Sequence, residues 1–394
     1  MKQLLTATAA IALTAGTAFA DDVKIGVLLG FTGPLESVAL PIAAGAELAM
    51  SEVTASGAFL GGQTATPVRG DSTCVDASAA TTAGERLVTA EGVKGIMGAM
   101  CSGATGAVLA NVAIPNGMVM ISPSATSPGL TTVEDNGLFF RTAPSDARQG
   151  VVMAEILMER GVTEVAVSYT NNDYGKGLAD SFGAAYAEAG GTVTLSAPHD
   201  DGRGDYSAEI GALSSAGGEA LVVAGYVDDG GSGIIRSALD TGAFDLFVLP
   251  DGMVASKLEE NFGSEIDGSF GQLAGTDSDG GAQFEAIAAD AGLDGTAVYA
   301  KEGYDAAALI MLAMQAAGST EPGDYAAKIT EVANGPGEPV LAGELAKGLE
   351  ILANGGEIDY VGASDVELIG PGEASGSFRE VIIEGGEITT VGFR

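Results

Sequence analysis

Residues 23–56 read VKIGVLLGFTGPLESVALPIAAGAELAMSEVTAS. Within them a short run rich in β-branched residues, 23–29, is followed by a Gly-Pro turn and then by apolar residues at helical spacing over 41–56. A strand, a loop and a helix in this order form the repeating unit of a parallel sheet covered by helices. The stretch therefore predicts an α/β fold.

The same order recurs further along the chain, on both sides of the segment Arg-Thr-Ala-Pro-Ser-Asp at 141–146. That segment joins a proline to a helix N-cap signal, so we interpret it as a crossing between two domains. The repeated units predict two doubly wound parallel-sheet lobes. Strand-like runs lie at 93–97, 117–121, 162–169, 220–224, 366–369 and 381–383, and helical patterns at 105–111, 175–189, 231–241, 282–291, 299–317, 322–332 and 343–353.

The charge balance excludes two classes of partner. The 394 residues include 53 Asp and Glu against 17 Lys and Arg, for a net charge of -36. Nucleic acid and anionic membrane surfaces are recognised by clustered basic side chains, so neither is an expected partner. Because 46% of the residues are hydrophobic, the chain still has the material for a folded core.

The first twenty residues resemble a secretory leader. Lys2 precedes an apolar stretch at 4–15, and Ala18-Phe19-Ala20 supplies small residues before the acidic Asp21. We predict a signal peptide over 1–20 that is cleaved after Ala20. A membrane anchor is disfavoured because the apolar run is shorter than the about 20 residues that span a bilayer. We expect no membrane-spanning segment after it.

Export changes the interpretation of the few cysteine and histidine residues. In an oxidising compartment the two thiols, Cys74 and Cys101, are expected to form a structural disulfide. The single histidine, His199, is predicted in a surface loop and is remote in sequence from both. This composition cannot supply a His-rich or Cys-rich metal site, and we expect no cofactor.

The motifs of common enzymes are missing from the sequence. There is no Gly-x-Ser-x-Gly elbow, and the glycine-rich piece at 26–30 has neither a phosphate-loop lysine nor a dinucleotide fingerprint. One histidine leaves a serine or cysteine nucleophile without a base. We therefore favour a binding protein over an enzyme, with an exported hydrolase as the third alternative.

Polar loops follow several of the predicted strands. The loops at 100–105 and 122–128 are rich in small and hydroxyl residues, and such loops at the ends of parallel strands can hold a carboxylate. Ordinary capping and turn formation is the alternative for each. In the other half, 171–175, 225–226 and 250–252 also follow strands. Asp251, between Pro and Gly, is either a turn former or the counter-ion of a cationic group.

Short motifs occur in a fixed order over nearly all of the chain after the predicted leader. They are Lys24-Ile25-Gly26-Val27, Thr32-Gly33-Pro34, Gly98-Ala99-Met100-Cys101-Ser102, Ile121-Ser122-Pro123-Ser124-Ala125-Thr126-Ser127-Pro128, Asn172-Asp173-Tyr174-Gly175-Lys176-Gly177, Gly225-Tyr226, Asp251-Gly252 and Gly303-Tyr304-Asp305-Ala306-Ala307. In this order the chain resembles the leucine/isoleucine/valine-binding family of periplasmic receptors.

The resemblance implies a type I solute-binding protein of an ABC importer. Its two lobes would be joined by three hinge crossings, with lobe 1 at 21–142 plus about 275–372 and lobe 2 at 143–274 plus about 373–394. The expected location is the periplasm. The expected partners are a small-molecule ligand, an amino acid, and an ABC permease in the inner membrane, and the protein is expected to be a monomer.

The resemblance also implies roles for individual residues. Ser102 and Thr126 match hydroxyls that hold the ligand carboxylate, and Asp251 matches the acid that pairs with the α-ammonium, a role that leucine receptors give to Glu. Tyr174 and Tyr226 match aromatic residues that the second lobe brings in on closure. Further positions implied in ligand binding are Ser124, at a backbone contact, with Ala125, Cys101, Val38 and Tyr299; Cys74 and Cys101 match the family disulfide.

One departure from the family affects specificity. Leucine receptors carry a Tyr where this chain has Val38, which implies a larger or differently shaped side-chain pocket. A branched-chain or other apolar amino acid is the expected ligand. The alternatives are an amide, an aromatic acid or another carboxylate on the same fold, and a sensor in place of a transport receptor.

Overall fold

Two seven-stranded sheets organise residues 22–394, which are the residues that this computed structural model describes. The predicted signal peptide lies outside them. The strands are β1 Asp22–Leu29, β2 Thr64–Asp71, β3 Ile96–Gly98, β4 Met120–Ser122, β5 Phe139–Pro144, β6 Glu164–Thr170, β7 Thr192–His199, β8 Ala220–Ala224, β9 Phe247–Leu249, β10 Phe270–Ala274, β11 Glu338–Leu341, β12 Ile358–Gly362, β13 Leu368–Ile369, β14 Glu373–Ala374, β15 Phe378–Glu384 and β16 Glu387–Phe393.

Helices cover the sheets, and each predicted run overlaps an observed element. The helices are α1 Glu36–Ser56, α2 Ala77–Glu85, α3 Ser102–Val108, α4 Ile114–Asn116, α5 Asp146–Glu159, α6 Asp173–Glu188, α7 Ser207–Ala216, α8 Gly230–Thr241, α9 Ser256–Phe262, α10 Asp279–Asp290, α11 Ala300–Ala317, α12 Pro322–Ala333 and α13 Leu345–Ala353. Helix α1 begins at Glu36 rather than at Pro41, so the proline lies inside it, where it removes one backbone hydrogen bond.

The strand order confirms the predicted doubly wound fold. The first sheet runs β2-β1-β3-β4-β5-β14-β13 and the second β7-β6-β8-β9-β10-β15-β16. In the first sheet all neighbouring strands are parallel except β14 and β13, which are antiparallel. In the second sheet, β15 is antiparallel to both of its neighbours, β10 and β16, and the other pairs are parallel. Strands β11 and β12 form a separate parallel pair. The carboxyl ends of parallel strands meet at one edge, which is where α/β sheets hold ligands.

Three segments carry the chain between the sheets. They are Ser145, between β5 and α5, then 275–278, between β10 and α10, and 375–377, between β14 and β15. The exact lobe boundaries, predicted after residues 142, 274 and 372, remain a proposal. Strands β5 and β14 pair in the first sheet and end at Pro144 and Ala374, directly before the first and third of these segments.

Helix α1 lies in the core of the first lobe. By length and composition alone it could cross a membrane, a test that the core helix of a soluble protein also passes. Here it packs along α11, and a side chain at Gly45 would overlap the carbonyl oxygen of Ala300. Such an approach of two helix backbones needs a residue without a Cβ atom.

The prediction of a surface loop around His199 is wrong. His199 ends strand β7, is 1% exposed, and its Nδ1 lies 2.8 Å from the hydroxyl of Ser168. Burial lowers the pKa of His199 to about 4, so the ring is neutral at physiological pH. Because β7 is a half-exposed edge strand containing Pro198, it lacks the continuous apolar run used to find strands.

The predicted disulfide is present between Cys74 and Cys101, at a sequence separation of 27. It ties the loop after β2 to the residue before α3. In the chain-entropy model, opening it should lower the free energy of unfolding by up to about 3.5 kcal/mol. We expect urea unfolding with a reductant to show this loss in the wild type. A Cys74→Ser, Cys101→Ser double variant should show the same loss without reductant and no further response to it.

Candidate functional site

A small cavity lies where the carboxyl-end loops of the two sheets face each other. Its free volume is about 20 Å³, roughly the space of one water molecule, so the lobes are nearly closed over it. The lobes are also joined directly at this edge. The backbone N–H and the hydroxyl of Ser37 in α1 both donate to the carboxylate of Asp228, at 2.8 and 2.9 Å.

The structure brings most of the residues predicted for the site together around this cavity. Ala125 and Thr126, which were also predicted, are buried but do not line it. Three further lining residues, Leu35, Met100 and Gly252, were not predicted as ligand contacts, although Met100 and Gly252 belong to the predicted loops at 100–105 and 250–252. The predicted residues that do line the cavity are Val38, Cys101, Ser102, Ser124, Tyr174, Tyr226, Asp251 and Tyr299.

Two serine hydroxyls form the polar wall of the first lobe. Ser102 opens helix α3, and its Oγ accepts a hydrogen bond from the backbone N–H of Ser127 at 3.1 Å. The proton of the Ser102 hydroxyl is therefore free to point at a ligand. Ser124 Oγ donates its proton to the carbonyl of Met100 at 3.0 Å, so toward a ligand this hydroxyl can act only as a hydrogen-bond acceptor.

Asp251 is the charged residue of the cavity. It follows strand β9, is 4% exposed, and accepts hydrogen bonds from the hydroxyls of Tyr174 at 3.0 Å and Tyr299 at 2.6 Å. Burial raises the pKa of Asp251, and the tyrosine hydrogen bonds partly oppose that shift. None of the residues that line this cavity is basic. A cationic group brought by a ligand would therefore meet an acid without a charged partner.

Local structure holds the tyrosines in place. The Tyr174 and Tyr226 rings are stacked with centroids 5.4 Å apart. Asn172 contacts both tyrosines. Its side-chain oxygen accepts a hydrogen bond from the backbone N–H of Tyr174 and so caps α6, and its side-chain amide donates to the Tyr226 hydroxyl at 3.1 Å. Tyr299 precedes α11 in the left-handed region, with φ 61°, which a non-glycine residue adopts only under constraint. The aromatic wall is thus preorganised.

Known sequences resemble this chain over most of its length. A family described as periplasmic binding protein matches residues 22–342. Leu/Ile/Val-binding protein homolog 1 of Brucella abortus is 32% identical, over 85% of this chain and 88% of that protein. The Leu/Ile/Val/Thr-binding protein of Salmonella typhimurium is 28% identical, over 68% of this chain and 72% of that protein.

Solved structures share the fold at lower identity. The leucine binding protein LivK from Thermotoga maritima superposes with a TM-score of 0.79 at 23% identity, covering 94% of this chain and 98% of that one. A solute binding protein from R. palustris in complex with benzoate gives 0.74 at 18% identity, covering 94% and 96%. One two-lobed architecture thus accompanies an amino-acid receptor and a receptor for an aromatic acid.

Proposed function

Because this chain belongs to the periplasmic binding protein family, whose members are solute-binding proteins rather than enzymes, we propose that it captures an α-amino acid between its lobes and passes it to an ABC permease. The receptor would act as a monomer in the periplasm. The observation that carries the proposal is Asp251, a buried acid in a cavity whose lining contains no basic residue.

The ligand's two charged groups have complementary partners on opposite walls. The α-ammonium pairs with Asp251 on the second lobe, and the carboxylate takes a hydrogen bond from the hydroxyl of Ser102 on the first. Thr126 was expected to share the carboxylate, but it does not line the cavity and is dropped from that role. Binding the two ends from different lobes makes the ligand itself stabilise the closed form.

The rest of the cavity is apolar, which supports an apolar side chain on the ligand. Leu35, Val38 and Met100 form this wall beside the disulfide at Cys101. Relatives named for leucine, isoleucine and valine point to the same class of ligand. We propose a branched-chain or other apolar amino acid, with Val38 widening the pocket relative to a tyrosine.

A thermal-shift screen of the mature protein tests the proposal. Ligand that binds only the folded state raises the unfolding temperature by mass action. We expect the largest shifts from apolar L-amino acids and none from benzoate, 4-hydroxybenzoate or simple amides. A larger shift from any carboxylate without an amine would contradict the proposal. Uptake of the best labelled ligand by cells that lack this gene would then test its role in transport.

A further inference from the structure

A second buried acid, Asp146, lies beside Asp251 outside the cavity lining. Asp146 is fully buried, and Gln149 and Thr126 are each 2% exposed. The two Asp146 carboxylate oxygens, both polar atoms of the Gln149 amide and the Thr126 hydroxyl make no hydrogen bond of ordinary geometry in the described part of the chain. Thr126 still lies near enough to Asp146, and Gln149 to Asp251, to lower the pKa of the neighbouring acid. Buried polar atoms are nearly always paired, so unpaired atoms grouped beside a binding site call for an explanation.

The position of Asp146 couples it to both lobes and to the ligand site. It is the first residue of α5, directly after the first crossing, and its backbone N–H donates to the carbonyl of Thr126 at 2.8 Å. Burial raises the pKa of Asp146 well above its ordinary range, and the negative charge of Asp251 raises it further. Two buried carboxylates this close resist being ionised together, so the pair favours sharing one proton, and the larger rise makes Asp146 the favoured holder.

Within residues 22–394, no basic side chain is left to neutralise this pair. Arg141, in β5, is the only basic residue that lowers the pKa of Asp146, and this effect is the smallest one. Its guanidinium is already engaged, with Nη1 donating to the carbonyls of Ala125 and Ser127, each at 3.0 Å, and Nη2 paired with Glu373. The charge that the two acids lack has to come from a ligand or from protons.

The other titratable groups that face Asp146 do not supply the positive charge that the two acids lack. They are Tyr174 from α6, Tyr226 after β8 and Tyr299 before α11, and burial raises the pKa of all three hydroxyls. They stay neutral at physiological pH. Among these groups, only the two acids Asp146 and Asp251 can exchange a proton when a ligand binds.

Resting on the proposed function, we infer that Asp146 is a positioning residue that makes capture of an ammonium group release a proton, and that it thereby selects amino acids over plain carboxylates. The ammonium brings a positive charge to Asp251. The proton on Asp146 then leaves to solvent, and the second carboxylate adds its attraction to the ligand's charge. A plain carboxylate has the opposite effect, because its charge holds the proton in place.

The proton count is measured by calorimetry of the wild type in two buffers of different ionisation enthalpy. We use the amino acid that gives the largest thermal shift, between about pH 5 and pH 8. We expect release of up to about one proton per ligand and an affinity that rises with pH, at most about tenfold per pH unit. Binding without proton release overturns the inference while the proposed function stands.

The variant Asp146→Asn separates this role from a structural one. Asparagine keeps the size of the side chain and removes the titration, so we expect no proton release and an affinity that does not change with pH. The matched control is Asp279→Asn, because Asp279 begins α10 directly after its cap Ser278 as Asp146 follows Ser145, and it is exposed. The control should release protons as the wild type does.

The outcomes distinguish the two proposals. If Asp146→Asn releases as many protons as the wild type, the assignment to Asp146 is wrong. If benzoate binds more tightly than every amino acid, the proposed function itself fails. Should the variant not fold, the wild-type measurement in two buffers still decides whether binding and proton release are coupled.

Discussion

Replacing Asp251 with alanine is expected to weaken amino-acid binding at least about 30-fold, or about 2 kcal/mol. The ammonium would lose its counter-ion inside a cavity without a basic lining residue, where water cannot replace the lost interaction. Isothermal titration calorimetry with the best ligand of the thermal-shift screen measures the effect. Unchanged affinity would remove Asp251 from the site.

Two controls make this result specific. Asp240→Ala removes the same charge from an exposed position on α8 of the same lobe, and its affinity should match the wild type. The unliganded Asp251→Ala protein should also retain the circular dichroism spectrum of the wild type.

Replacing Arg141 with methionine is expected to lower the free energy of unfolding by about 3–5 kcal/mol. Arg141 is 1% exposed and holds Glu373 in the first sheet, together with the carbonyls of Ala125 and Ser127. Its removal leaves a largely buried carboxylate and two carbonyls without partners. Urea unfolding monitored by circular dichroism measures the loss.

The matched control is Arg236→Met. Arg236 also forms an ion pair, with Glu265, but both side chains are substantially exposed. An exposed pair contributes about 0–1 kcal/mol, so this variant should unfold close to the wild type. A double variant with Arg141→Met and Glu373→Gln should recover part of the loss, because the uncompensated charge is removed. Equal losses for Arg141→Met and Arg236→Met would show that burial of the first pair has no special effect.

Local patterns predicted those parts of the fold that are strongly apolar. Strand β8 was predicted with the bounds that it has, Ala220–Ala224, because it is buried on both faces and reads as a continuous apolar run. Strand β2 was missed because only Ala65 and Gly70 are buried in it and its polar residues, with Pro67, resemble a loop. The sequence of an edge strand does not show that a neighbour pairs with it.

The candidate site was predictable where it depends on strand ends. Ser102, Tyr226 and Asp251 follow parallel strands, whose carboxyl ends meet at one edge of each sheet, so their grouping follows from the order of elements. Thr126 follows a strand too, but whether its hydroxyl points into the cavity depends on side-chain direction, which the sequence does not specify. Which residues of a loop line the cavity, such as Met100 beside Cys101, depends on side-chain direction in the same way.

The sequence by itself determined the class of fold and the pairing of its two cysteines. The first depends on periodicity and the second on composition, whereas the role of Asp251 came from the family resemblance and stays a proposal. Only the tertiary structure decided that His199 is buried, that Thr126 does not line the cavity, and that Asp146 adjoins Asp251. The physical reason is that a group's contact with water and with other charges depends on which segments pack around it. Those segments are far apart in the chain, so the local sequence does not specify them.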